Sequence, residues 1–347
     1  MKVCVSTDLL TERNNTIEVV ETFLEIFDEA TLVTISHNEG KILGPIEQRK
    51  IASSSITHKV KSIEDLHKYS FLVPGVLDNH FISCQYDLII NISRGLSHGF
   101  KKCETSKQLT YLLDEEACPK GKGIFEKIFK GYVNKWALKK LNQIDELWVS
   151  SESLKNKLQP FYSKEIIVVP PFIRVQDFPI IPKNVYPHNY YTINAEVIDE
   201  KIAKTLIKIF KDKKIDFRFI GLDGHLENIK SEMEDHFFLG VKCNGDLSPI
   251  LAASRGLIDF SRTQFPALSI SALSSGRPVI MPHNDFLKGN GVLTLENEEE
   301  KGILAKINEL DQCHDDFEPE KLHALANKFH QLKFKGIIQR RILNNKP

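Results

Sequence analysis

The chain has 347 residues and carries 46 lysines and arginines against 46 aspartates and glutamates. This length is too great for one ordinary hydrophobic core and suits two domains of typical size. Because the charges balance, no overall positive field favours a nucleic acid as partner. No run of about eighteen apolar residues occurs, and the first residues, MKVCVSTDLL, lack a signal-peptide pattern. We therefore expect a cytoplasmic protein.

Short apolar, β-branched runs alternate with helical stretches in the first half of the chain, as in a parallel sheet with crossover helices. Seven such runs predict strands at 2–5, 30–35, 56–60, 87–92, 108–113, 146–149 and 165–169. Apolar residues recurring at three and four positions predict helices over 17–27 and 123–141. The first half is therefore predicted to be one doubly wound α/β sheet.

A proline-rich stretch at 179–188 cannot lie inside a sheet or a helix and predicts a linker. Beyond it, one helix is predicted at 200–211 and strands at 190–194, 217–221, 237–241, 257–260, 279–282 and 291–295. We therefore place a first domain at 1–180, a second α/β domain at 181–325 and a C-terminal helix at 326–347.

The cysteines are scattered, with no C-x-x-C pair and no spacing typical of a zinc site. They are Cys4, Cys84, Cys103, Cys118, Cys243 and Cys313. This pattern predicts reduced, mostly buried thiols. No Asp-x-Asp signature or cluster of metal ligands occurs in the sequence, so we predict no metal site.

The segment from Arg255 to Ile280 is the most informative part of the chain. It reads RGLIDFSRTQFPALSISALSSGRPVI, which predicts an apolar strand, a polar loop, a short helix opened by a proline, and a second strand. Such a unit directs the backbone N–H groups of a helix start toward the carboxyl edge of a sheet. Open α/β proteins hold phosphates at that place.

This segment resembles, in order and spacing, the donor-sugar element of retaining glycosyltransferases of family 4. Residues 86–100, 134–172, 220–226, 236–242 and 326–342 are similar to further segments of that family, nearest to its mannosyltransferase-like branch. The resemblance implies the GT-B fold, which has two Rossmann-like, doubly wound parallel-sheet domains facing across a cleft. It also implies that the C-terminal helix crosses back to the first domain.

The resemblance further implies a nucleotide-sugar donor, GDP- or UDP-linked, and a glycan or lipid-linked acceptor, with no cofactor. For catalysis we single out His98, Asp114 and Thr263, and for the acceptor side Asn15 and Arg94. The donor-binding candidates are Lys201, Gly221, Val241, Arg262, Ala267, Leu268, Ser269 and Ser271. Lysine, arginine and helix N–H groups suit this task because a departing diphosphate accumulates negative charge.

Several positions depart from the family pattern. The arginine that normally accompanies the donor lysine corresponds to Glu196, and the two glutamates of the donor element correspond to Thr263 and Ser271. The glycine pair after the first strand is replaced by residues 13–16, whose side chains would crowd a phosphate. We therefore predict a degenerate donor site on a retained scaffold.

Two functions stay open on this basis. The first is a hexosyltransferase that works with retention of configuration, as in polysaccharide biosynthesis. The second is a catalytically inactive homologue that acts as a binding or scaffold subunit beside a partner glycosyltransferase. The lysine-rich helix at 123–141 also allows two interpretations, a peripheral contact with the cytoplasmic membrane face or a solvated helix whose apolar side is core.

Overall fold

The computed structural model describes residues 1–42, 44–114, 124–181, 189–263 and 265–343. The chain divides into two compact units. Unit 1 comprises Met1–Pro171 and Lys335–Pro347, and unit 2 comprises Phe172–Phe334. The division thus falls before the proline-rich stretch predicted as linker, of which residues 182–188 lie outside the described residues. The C-terminal segment joins unit 1 at Lys335, later than the predicted 326.

Unit 1 is a parallel sheet of seven strands in the order β3-β2-β1-β4-β5-β6-β7. Its strands are β1 Val3–Leu10, β2 Thr31–His37, β3 Ile51–Ser53, β4 Leu88–Ser93, β5 Lys107–Leu112, β6 Glu146–Val149 and β7 Ile166–Val168. Its helices are α1 Asn15–Ile26, α2 Ile63–Lys68, α3 Val73–Asn79, α4 Ile124–Leu141 and α5 Glu152–Leu158. The direction of strand addition reverses between β1 and β4, which is the switch point of the sheet.

Local chemistry explains where α1 starts. The Asn14 side chain accepts a hydrogen bond from the Ile17 N–H at 3.2 Å, which caps the first turn. Ile17, Val20 and Phe23 are fully buried, so one face of this helix packs on the sheet. The strand β1 pairs with a neighbour on each side, as Val5 lies opposite both Leu32 and Ile90. The strand is buried on both faces, and its apolar first residues, Val3–Val5, are followed by the buried polar residues Ser6, Thr7 and Asp8.

Unit 2 is a parallel sheet of five strands in the order β12-β11-β10-β8-β9. Its strands are β8 Tyr190–Asn194, β9 Asp216–Ile220, β10 Leu257–Ile258, β11 Val279–Pro282 and β12 Val292–Leu295. Its helices are α6 Glu200–Lys213, α7 Glu227–Lys230, α8 Asn244–Ala253, α9 Ala267–Ser274, α10 Glu300–Cys313 and α11 Pro319–Ala326. The boundary between the two units, after Phe334, falls within a last helix, α12 Gln331–Ile338. The switch point of this sheet lies between β8 and β10.

Two predicted strands are wrong. Residues 56–60 form a turn in which the Val60 N–H donates to the Ile56 carbonyl at 3.1 Å, and the third parallel strand is Ile51–Ser53 instead. Both Ile56 and Val60 are buried, so their apolar character reflects core packing without strand pairing. Around 237–241, a 3-10 turn ends at Phe237 and a single bridge joins Phe238 to Phe219. Gly240 follows with φ of 66°, which interrupts an extended chain.

The prediction of reduced, mostly buried cysteines is also wrong. Cys84 and Cys103 form a disulfide with a Cα–Cα distance of 5.0 Å. They lie in the loops before the adjacent strands β4 and β5, so the sheet brings together residues that sequence spacing does not pair. Among the other described cysteines, Cys4 is buried whereas Cys243 is exposed. Cys118 lies outside the described residues.

None of the helices in the described part of the chain is long and apolar enough to cross a membrane. In the same part of the chain, no three histidine, cysteine, aspartate or glutamate side chains converge so as to hold a metal ion.

Candidate functional site

At the switch point of unit 1, a buried aspartate gathers the loop that follows β4. The Asp8 carboxylate accepts hydrogen bonds from the Ser93 hydroxyl at 3.1 Å, the Arg94 N–H at 2.6 Å and the Ser97 N–H at 2.5 Å. The Ser93 hydroxyl in turn accepts from the N–H groups of Gly95 and Leu96 at 2.9 and 3.0 Å. The backbone donors of this loop are therefore already used by side chains of unit 1.

Two predicted residues meet beside this loop. The Arg94 Nε donates to both carboxylate oxygens of Asp114, at 3.2 and 3.0 Å, and each side chain is about one-third exposed. Asn15, predicted on the acceptor side, is exposed at the first position of α1. Its neighbour Arg13 makes a bidentate pair with Glu21, at 3.0 and 2.7 Å. The Arg13 guanidinium is thus directed to its own helix α1.

His98 lies in the 3-10 turn Ser97–Gly99 and is 3% exposed. Its Nε2 lies 3.0 Å from the Ala137 carbonyl of α4, so the proton is assigned to Nε2. Burial lowers the pKa of His98, which keeps the imidazole neutral at pH 7. Its Nδ1 has no hydrogen-bond partner among the described residues. The ring can therefore still accept one hydrogen bond.

At the switch point of unit 2, a second buried aspartate joins the ends of β8 and β10. Asp259 is 1% exposed and accepts from the Ser269 hydroxyl at 2.6 Å, the Ser261 N–H at 2.9 Å and the Asn194 amide at 3.0 Å. Burial raises the pKa of Asp259, whereas these three donors oppose that shift. The cluster fixes the loop that leads into α9.

The start of α9 carries four of the predicted donor-binding residues. The Ser269 hydroxyl is bonded to Asp259, and the Ser271 hydroxyl donates to the Ala267 carbonyl at 3.0 Å. The Ala267 N–H donates to the Phe265 carbonyl at 3.1 Å. Leu268 and Ser269 occupy the first turn, where an α-helix supplies no backbone acceptor for its N–H groups. Any anion site here thus depends on backbone groups and not on serine hydroxyls.

Gly221 forms the turn after β9, with φ of 99°. A Cβ atom at this position would lie 2.7 Å from the Glu196 Cγ, so only glycine fits under that side chain. The Glu196 carboxylate accepts from the Leu222 N–H at 3.2 Å. The acidic Glu196 side chain therefore lies over the glycine turn. Val241 follows Gly240 and is 63% exposed.

Lys201 is exposed in the first turn of α6, which follows the carboxyl end of β8. Arg262 is 74% exposed and its guanidinium pairs with Glu298 at 2.7 Å. The Thr263 hydroxyl lies 2.7 Å from the Ser261 hydroxyl. The backbone carbonyl of Thr263 accepts a hydrogen bond from the Asn284 side-chain amide at 3.2 Å. All three residues lie on segments that follow the carboxyl ends of β8 and β10.

Sequence reasoning missed the residues that organise both edges, namely Asp8, Asn194 and Asp259. Asn194 ends β8 and Asp259 directly follows β10, and a polar residue at such a place is a usable signal for the carboxyl edge of a parallel sheet, whereas Asp8 lies inside β1. No comparable sequence pattern predicts the disulfide or the close contact between Glu196 and Gly221. Both depend on pairs of residues far apart in the chain.

The fold matches known structures over the whole length of the chain. Anabaena HepE, in a crystal structure with UDP and glucose, is 12% identical with a TM-score of 0.67, covering 100% of both chains. TarM is 12% identical with a TM-score of 0.62, covering 100% of this chain and 99% of its own. The chain has the GT-B glycosyltransferase fold.

The same fold also occurs in another class of enzyme. A UDP-N-acetylglucosamine 2-epimerase is 11% identical with a TM-score of 0.58, covering 99% of this chain and 96% of its own. No family model and no curated protein sequence matches the chain. At such low identities the likeness is one of fold, and the chemistry has to be argued from the residues.

Proposed function

We propose that this protein is a family 4-type glycosyltransferase that moves a hexose from a GDP- or UDP-linked sugar to a glycan or lipid-linked acceptor, with retention of configuration. One observation carries the proposal. Asp259 locks the loop before α9 at the switch point of unit 2, where open α/β sheets bind nucleotides. The whole-length likeness to HepE, which holds UDP and glucose in its crystal structure, supports the same assignment.

In this proposal the donor diphosphate lies at the first turn of α9. The N–H groups of Leu268 and Ser269 and the positive end of the helix dipole favour an anion there. Lys201 and Arg262 add positive charge from α6 and from the loop after β10. Stabilising the departing diphosphate is the main requirement of a transfer reaction, because its charge develops in the transition state.

Glu196 is the feature that argues against ordinary donor binding. Its carboxylate lies over the Gly221 turn, close to the segment that carries Lys201. A carboxylate and a phosphate about 6 Å apart repel by roughly 2 to 3 kcal/mol at an effective dielectric of 20, less where water screens them. We therefore expect weak nucleotide binding, which improves when the charge of Glu196 is removed.

With the donor diphosphate at the first turn of α9, other candidate residues are assigned to the hexose and to the acceptor. Thr263, on the loop after β10, is proposed to contact the transferred hexose through its hydroxyl. On unit 1, the Arg94–Asp114 pair is proposed to contact hydroxyl or anionic groups of the acceptor, and Asn15 and His98, whose Nδ1 is buried, are assigned to the same side. A neutral histidine and a carboxylate can both accept a hydrogen bond from a substrate hydroxyl.

The test is calorimetric titration of the full chain with UDP and GDP. Lys201→Ala should weaken binding of the matching nucleotide about tenfold, the usual size for a lost charge-assisted hydrogen bond. Lys211→Ala is the matched control, because it is exposed on the same helix about 15 Å further along its axis. Glu196→Gln should tighten binding severalfold.

The possible results separate the open functions. Binding that depends on Lys201, with release of free nucleotide when a donor sugar and acceptor are supplied, supports the transferase. If neither UDP nor GDP binds, the transferase proposal is overturned and the inactive scaffold homologue is favoured. Interconversion of the sugar on the intact nucleotide overturns it in favour of an epimerase.

A further inference from the structure

Apolar side chains are exposed along one edge of unit 2. In the described part of this unit, the exposed large apolar residues are Val197, Leu222, Val241 and Leu332. The first three lie on the segments that follow β8, β9 and the single bridge beyond β9. Exposed apolar residues that are gathered at one place mark a binding surface, whereas residues scattered singly do not.

These three segments are neighbours in the sheet. β8 pairs with β9, and Glu196 and Leu222 each lie two residues beyond the end of their strand. The next segment outward joins through the Gly221 N–H, which donates to the Gly240 carbonyl at 3.0 Å. Since neighbouring strands lie about 4.8 Å apart, the positions from Glu196 to Val241 span about 10 Å along the carboxyl edge.

The Glu196 carboxylate has one oxygen available to a ligand. Its Oε1 accepts from the Leu222 N–H at 3.2 Å, which holds the side chain over the Gly221 turn. The side chain is exposed, and its Oε2 has no hydrogen-bond or ion-pair partner among the residues that the structure describes. A carboxylate accepts hydrogen bonds and donates none, so this oxygen can contact the hydroxyl or N–H donors of a nucleotide and not its phosphate oxygens.

Chemically different groups therefore follow one another along this edge. The start of α9, which follows β10, carries the backbone N–H groups that the proposed function assigns to the diphosphate. Glu196 comes next, after β8, and the exposed side chains of Leu222 and Val241 come last. A nucleoside diphosphate has the same order, with an anion, a pair of hydroxyl donors and a flat base that packs on apolar side chains.

We infer that Glu196 accepts a hydrogen bond from the ribose hydroxyls of the donor and thereby selects ribonucleotides, with the base against Leu222 and Val241. Acidic side chains bind ribose hydroxyls in other nucleotide-binding α/β sheets, and a hydrogen bond to a carboxylate is about twice as strong as a neutral one. This role rests on the proposed function, since Glu196 acts within the donor site. The ribose contact offsets part of the repulsion between Glu196 and the diphosphate.

Calorimetric titration with UDP and GDP and with their 2′,3′-dideoxyribose forms tests this role. The wild type should bind the ribose form about tenfold more tightly, which corresponds to one charge-assisted hydrogen bond. Glu196→Ala should reduce this preference to less than about twofold. The ratio of the two affinities isolates the ribose contact, because the repulsion between Glu196 and the diphosphate is present with both forms.

Glu227→Ala is the matched control. Glu227 is exposed at the first position of α7, and its carboxylate has no hydrogen-bond or ion-pair partner among the described residues. Its removal changes the charge of unit 2 by the same amount and should leave the ribose preference unchanged. A preference that survives in Glu196→Ala, or one that Glu227→Ala lowers equally, would overturn the inference.

The position of the base is tested with Val241→Ser. This change removes apolar surface from an exposed position, so the ribose form should bind about threefold more weakly while the ribose preference is retained. Unchanged affinity would overturn the placement of the base. If the ribose and dideoxyribose forms bind the wild type equally, the role of Glu196 is wrong and the proposed transferase stands. If no form binds, the proposed function is wrong and this role is wrong with it.

Discussion

Each unit places a buried aspartate at the switch point of its sheet, and the two aspartates use their oxygens differently. Asp8 accepts from two backbone N–H groups, of Arg94 and Ser97, with one on each carboxylate oxygen, and from the Ser93 hydroxyl. Asp259 binds one backbone N–H and two side chains, and its second oxygen accepts only the Ser269 hydroxyl. Similar positions in two similar sheets thus give different local chemistry.

The difference shows how one fold can supply two kinds of site. In unit 1 the N–H groups of residues 94–97, in the loop after β4, are satisfied by Asp8 and Ser93, so these four groups are not available to a phosphate. In unit 2 the aspartate holds mainly side chains and leaves the first turn of α9 to backbone donors alone. This difference supports the proposal that unit 2 binds the donor and unit 1 binds the acceptor.

The largest expected effect comes from deleting the unit 2 carboxylate. Asp259→Ala leaves the donors of Ser261, Asn194 and Ser269 buried without an acceptor, at about 1 to 3 kcal/mol for each unsatisfied group. We expect a loss of about 3 to 5 kcal/mol in the free energy of unfolding, measured by urea denaturation and circular dichroism. A loss below about 1 kcal/mol would mean that the cluster does not organise this edge.

Substitution of each aspartate by asparagine distinguishes the two clusters. In Asp8→Asn, the new NH₂ group faces a backbone N–H whichever oxygen it replaces, so we expect a loss of about 2 kcal/mol. In Asp259→Asn, the NH₂ group can donate to the Ser269 oxygen, because a hydroxyl also accepts. This variant should lose less than about 1 kcal/mol. Equal losses in urea denaturation would contradict the proposed difference between the two clusters.

Much of the fold was predictable because it depends on local patterns. Strand runs such as 146–149 and 190–194 match the structure, and the whole-length resemblance gave the GT-B fold that the structural neighbours confirm. The strand predicted at 56–60 is wrong because buried β-branched residues in a turn have the same composition as a strand. Periodicity alone cannot separate these cases over so short a run.

The site was less predictable because it depends on partners distant in sequence. Lys201 and Arg262 lie beside the expected edge, yet the hydroxyls of Ser269 and Ser271 are used within unit 2. Nothing in the sequence shows that Asp259, ten residues before Ser269, takes that hydroxyl. The family assignment, retention and the acceptor stay predictions, to be tested by the titrations described above.

The smallest expected effect concerns pH and belongs to unit 1. Burial lowers the pKa of His98 in the folded protein below its ordinary value near 6.5, so the unfolded chain binds more protons in that range. Stability contributed by neutral His98 is therefore present above pH 6.5 and is lost as the pH falls. The slope from this one residue is at most about 1.4 kcal/mol per pH unit. The negative charge of Asp8 opposes this shift of the His98 pKa, and the positive charge of Lys140 adds to it.

His98→Gln isolates this contribution. The Gln amide can still donate to the Ala137 carbonyl, which keeps the tie to α4, but it does not titrate. We expect the wild type to lose more stability than the variant between pH 7.5 and pH 5.5, in urea denaturation followed by tryptophan fluorescence. Trp136 and Trp148 both report on unit 1. Parallel pH profiles would mean that His98 is protonated equally in the folded and unfolded chain, and the neutral ring proposed for the acceptor site would then be wrong.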